Sequence, residues 1–123
     1  MNRIALTLAG LAFAAGAAYA DDCVPPETPV VPDGGTASME EMVTAQGEVR
    51  AFQADNLEYR ECLDPKIAAM KADAAAEDAS KEDVAKLQKL NKAYNDSVAR
   101  EKELAEQFNS QIPKFNAAND SDG

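Results

Sequence analysis

Met42, Val49, Asn56, Leu63 and Met70 recur every seven residues, and Ala45, Phe52 and Tyr59 fill positions three residues further on. That spacing places one apolar stripe along one face of a long α-helix. A second stretch repeats the period. Val84, Asn91, Val98, Ala105 and Ile112 form one series, and Leu87, Tyr94, Glu101, Phe108 and Phe115 form another. Leu90 and Leu104 widen this second stripe, while Asn91 and Glu101 interrupt it with polar groups suited to fixing register or to a kinked margin. A narrow stripe on a long helix cannot be left in water, so each stretch needs a partner. Both have about 35 residues, and a short turn lays two such helices antiparallel along their length. The expected fold is all-α: an elongated antiparallel helical hairpin, coiled-coil-like over 38–115.

Punctuation residues set the expected boundaries. Ser38, followed three residues later by Glu41, has the capping-box spacing, in which side chain and backbone satisfy each other at a helix start. Pro65 lacks an N–H and clashes with the preceding turn, which predicts a kink or short break at Asp64–Pro65, with helix resuming to about residue 75. The turn is expected within 74–83, with Ser80 capping the second helix. Pro113 predicts the end of regular helix near Ile112, with Phe115 folding back and residues 116–123 a disordered tail. Ile67 and Leu104 lie off the main stripe and are expected to be partly exposed.

The amino end reads as an address. One positive charge in residues 1–3 precedes the uncharged run IALTLAGLAFAAG, and Ala18-Tyr19-Ala20 has the small residues a signal peptidase requires. Residues 1–20 are therefore expected to be a cleaved signal peptide of the general secretory route. The apolar run is too short for a membrane span, which needs roughly 20 residues. Asp22 is not the small residue a lipoprotein site needs before Cys23. The expected location is periplasmic or secreted.

Residues 1–20 hold one basic residue and no acidic one, so the mature chain keeps 11 of the 12 basic residues against all 22 acidic ones, a net charge of −11. It has 41 apolar residues, 17 of them alanine, which suits one narrow seam better than a deep core. The acidity argues against nucleic acid and anionic lipid as partners, since both need clustered Lys and Arg. With no histidine in the chain, nucleophilic triads and imidazole metal sites are excluded. Pairs such as Glu40/Glu41, Glu58/Glu61 and Glu77/Asp78 do not follow the calcium-loop pattern, and a solvated helix face accounts for them. No catalytic residue, cofactor or metal site is expected.

Residues 21–37 form a proline-rich extended arm, with Cys23 at its head, Pro25, Pro26, Pro29 and Pro32 behind it, and Gly34–Gly35 at its end. The remaining cysteine, Cys62, is 39 positions away, unlike a redox Cys-x-x-Cys pair. In an oxidising compartment the expected outcome is an internal disulfide between Cys23 and Cys62, the alternatives being free thiols or a bridge between chains. The reach suffices. An arm at about 3.1 Å per residue spans up to about 47 Å, against about 36 Å of helix from Ser38 to Cys62 at 1.5 Å per residue. Gly34–Gly35 would allow the reversal, and Val24, Val30 and Val31 would lie against the first helix.

The segments CVPPETPVVPDGGTASMEEM, YRECL and AYNDSVAREKELAEQFNSQ together resemble a family of small secreted proteobacterial proteins of unknown function. The resemblance covers most of the mature chain, with Cys23, Tyr59, Cys62, Tyr94, Asn95, Phe108 and Asn109 matching and Pro65 and Pro113 atypical. It implies location and shape, with no mechanism attached. The expected function is a non-enzymatic helical interaction or scaffold protein, acting by self-association or on a protein partner. The alternative is a small acidic binding protein for metal cations or cationic ligands.

Overall fold

The computed structural model describes residues 23–120. The expected signal peptide lies outside them, as do residues 121–123. Two helices, α1 (Met39–Ala75) and α2 (Lys81–Asp120), pack antiparallel along their length as a helical hairpin. Each begins on the same device. The Glu41 N–H donates to Ser38 Oγ (3.1 Å) and the Ser38 N–H to Glu41 Oε2 (2.7 Å). At α2 the Asp83 N–H donates to Ser80 Oγ (3.1 Å) and the Ser80 N–H to Asp83 Oδ2 (3.2 Å). Asp83 thus plays the part Glu41 plays in α1, and the two acids also oppose the positive helix ends.

Two expected interruptions are corrected. α1 runs through Pro65 without a break, and α2 runs through Pro113 to Asp120, five residues past Phe115. Packing outweighs the lost hydrogen bond. Tyr59, Leu63 and Ile67 are buried on one face across Pro65, and Phe108 and Phe115 on one face across Pro113. A break at either proline would pull a buried residue out of the seam. Both prolines are exposed, as are Glu61 and Asn109, whose carbonyls lose their helical donors on the side where water can replace them. Phe115 therefore continues the face of α2 instead of folding back.

The core has two parts. Met42, Ala45, Val49 and Phe52 of α1 meet Leu104, Phe108 and Phe115 of α2 near the arm's turn. Towards the interhelical turn, Tyr59, Leu63 and Ile67 are buried with Leu87, Leu90, Ala93 and Tyr94 against them. On α1 the expected stripe is the buried one, with Met70 half-buried. Ile67 and Leu104 are not exposed edges: they are 9% and 1% accessible and belong to the core. On α2 the register differs from expectation. Val84, Val98 and Ile112 are exposed at 41%, 46% and 38%. The series 87, 94, 101, 108, 115 does face α1, but its companion is Leu90, Ser97, Leu104 and Gln111, three residues later instead of three earlier. Ser97 and Gln111 are polar, which hides that row from a search for apolar periodicity.

Candidate functional site

Between the two core clusters lies a polar layer that crosses the hairpin. Asn56 and Ser97 are fully buried. Asn56 Nδ2 donates to the Ser97 carbonyl (2.9 Å), and Ser97 Oγ donates to Asn56 Oδ1 (2.7 Å). Arg60 Nη1 donates to Ser97 Oγ (3.2 Å) while its Nη2 pairs with Glu101 Oε2 (3.2 Å). Two successive turns of each helix thus share one network, with the charged pair towards the edge and the neutral pair inside. The placement follows from cost: a charge needs water or a close partner, whereas an amide and a hydroxyl satisfy each other in the interior. Glu101 is one of the two polar interruptions visible in the sequence, and Asn56 sits in the α1 stripe. Ser97 and Arg60 carry no such signal. Asn91, the other interruption, is half-buried outside this layer. Arg100 keeps its Nε buried with no hydrogen-bond partner among the described residues.

The arm forms the second feature. Cys23 and Cys62 are joined, with Cα atoms 5.8 Å apart. From there the arm follows α1 back towards its start, over a groove lined by Glu27, Thr28, Pro29, Glu48 and Asp55. Cys23 packs on the second core cluster and Val31 on the first. Val24 and Val30 do not cover the helix as expected; they are 57% and 86% accessible. An extended strand turns alternate side chains outward, so only part of the arm's apolar surface reaches α1. The arm ends in a tight turn. The Thr36 and Ala37 N–H groups donate to the Asp33 carbonyl (3.2 and 2.9 Å), and the Gly35 N–H donates to Asp33 Oδ1 (2.9 Å).

Gly34 then touches the other helix: its N–H donates to Gln111 Oε1 (3.0 Å). Neither Gly34 nor Gly35 has a positive φ, so the reversal does not depend on left-handed backbone. Gly34 is needed for proximity, because a Cβ there would collide with the Gln111 carbonyl and crowd the Phe115 N–H. The arm is thereby tied to α1 by a covalent bond at one end and to α2 by a backbone contact at the other.

The third feature is the side the arm leaves bare. Met39, Val43, Leu57, Val84, Val98 and Ile112 are the exposed large apolar side chains of the two helices. They share one side. Met39, Val43 and Gln46 of α1 border the same shallow depression as Ile112 and Asn116 of α2. Leu57 lies two heptads from Val43, and Val84 and Val98 lie in heptad steps from Ile112. The arm runs past Glu48, Ala51 and Asp55, on the opposite flank of α1.

Among the described residues, no three cysteine or acidic side chains come together in a group able to hold a metal ion, and no helix is long and apolar enough to cross a membrane. Compared with family models, curated proteins and solved structures, the chain matches none.

Proposed function

We infer that this chain is a non-enzymatic helical interaction protein, exported by the general secretory route and working in the periplasm or outside the cell. The observation that carries the reading is the bare side of the hairpin, where all six exposed large apolar side chains of the helices gather. Scattered singly, such residues are ordinary; collected on one side of a hairpin, they mark a surface built to meet another chain. A disulfide that pins an arm over the opposite flank suits an oxidising compartment and leaves this side open.

The reading is tested by comparing wild type with Val98→Asp in a pull-down from periplasmic extract under non-reducing conditions. A bound protein, which can be the chain itself, is expected to be retained by wild type and lost from the variant. Equal retention, or none by either, would overturn the reading. Its location has a separate check: the intact mass of the exported protein should correspond to a chain beginning at Asp21 with two hydrogens fewer than the dithiol form.

A further inference from the structure

We propose that the occupant of the bare side is a second copy of this chain, so that two hairpins pair through it into a four-helix body. The proposal rests on the interaction reading and names its partner.

Charge carries it first. On α2 the bare side consists of the row Val84, Asn91, Val98, Ala105 and Ile112, flanked by Asn95, Lys102, Asn109 and Asn116. On α1 it consists of Met39, Gln46 and Gln53 beside the row Val43, Arg50, Leu57 and Asp64. Only Asp64 among these carries a carboxylate, in a chain with 22 acidic residues and a formal net charge of −10. Glu101, in the neighbouring row of α2, is held by Arg60. Other carboxylates lie away from it, with Glu48 and Asp55 along the arm's groove and Glu40 and Glu41 near its turn. Two strongly negative chains repel, and they come together at least cost through surface with few acids.

Chemistry then separates a second copy from other proteins. Asn and Gln both donate and accept, so a surface of amides and aliphatic side chains is complementary to itself. A basic partner would find only Asp64 here. An acidic one would find only Arg50 and Lys102, and Lys102 already lies 3.9 Å from Glu106. Size agrees as well. From Val84 to Ile112 the surface runs about 42 Å at 1.5 Å per residue. Two helices side by side, each about 10 Å across, present a width of about 20 Å and hence about 800 Å², the share one partner contributes to an interface of standard size.

Sedimentation equilibrium of the oxidised mature protein, at low and at high sodium chloride, tests this. A dimer is expected whose dissociation constant falls as salt screens the repulsion between the two chains. Val98→Glu and Ile112→Glu are expected to weaken it about a hundredfold or more, because each buries unpaired carboxylates at the contact. Val30→Glu, on the exposed arm, should leave it unchanged. A strict monomer at every concentration and salt, or a dimer indifferent to both bare-side variants, would overturn the proposal. A photo-crosslinking residue in place of Val98, in cells exporting the protein, separates this proposal from the broader reading. Adducts to the same chain support it. Adducts only to another protein overturn it and keep the interaction reading, and absence of any protein adduct overturns both.

Discussion

Gly34 and Gly47 show how differently one residue type acts in the same molecule. Gly34 packs its backbone against α2, where a Cβ would strike the Gln111 carbonyl, whereas a Cβ on Gly47 would meet nothing within 4 Å. Gly34→Ala should therefore destabilise the fold by about 1–3 kcal/mol, the usual cost of forcing extra volume into a close contact. Gly47→Ala should stabilise it by about 0.5–1 kcal/mol, since a mid-helix glycine gives up more backbone freedom than alanine. Urea midpoints of the two variants check both signs. Equal effects would mean that the arm's turn does not press on α2. Neither role is legible in the sequence, where the glycine pair reads as the end of the arm and the place where it reverses.

At the scale of elements, capping and period were legible and register was not. Ser38 and Ser80 cap where a short polar side chain precedes an acid by three residues. The α1 stripe is the one its apolar residues trace. On α2 the apolar valines and isoleucine of one row face solvent, while Ser97 of the other is fully buried. Apolar period finds that row only when its members are apolar, and Ser97 and Gln111 are not.

The polar layer should be costly to halve. Asn56→Leu alone leaves the Ser97 hydroxyl without its acceptor, and should cost about 1–3 kcal/mol. Adding Ser97→Ala is expected to recover part of that loss, because a buried pair removed together leaves fewer orphaned groups. A double-mutant cycle in urea gives the coupling, and additive losses would show that the two side chains act independently. Pro65 gives the complementary test. Since α1 is continuous through it, Pro65→Ala should restore the donor for the Glu61 carbonyl and raise stability by up to about 3 kcal/mol. A lowered urea midpoint would mean that the seam depends on the local geometry that the proline imposes.

At the scale of the whole molecule, the hairpin has one narrow seam and the arm adds to it from one flank. Cys23–Cys62 closes a loop of 39 residues in sequence, and in the chain-entropy model such a closure contributes about 4 kcal/mol by restricting the unfolded chain. Reduction, or Cys23→Ser with Cys62→Ser, should lower the urea midpoint accordingly while the far-ultraviolet dichroism at low temperature stays helical. An unchanged midpoint would show that the arm is tethered without supporting the fold. The arm also gives the hairpin two unlike sides, one acidic and covered, one poor in acids and bare.

The sequence by itself determined that the chain is helical, where both helices start, and that a stiff arm with a cysteine at its head precedes them. These are local matters: side-chain period, caps and proline-restricted backbone act over a few residues. Only the tertiary structure decided whether Pro65 and Pro113 end helices, which row of α2 is buried, and which surface stays open. Each of those depends on what a residue meets across the seam. A proline is accommodated when its neighbours' burial outweighs one hydrogen bond, and a serine is buried when Asn56 waits opposite it. A valine stays in water when the other helix lies on the far side.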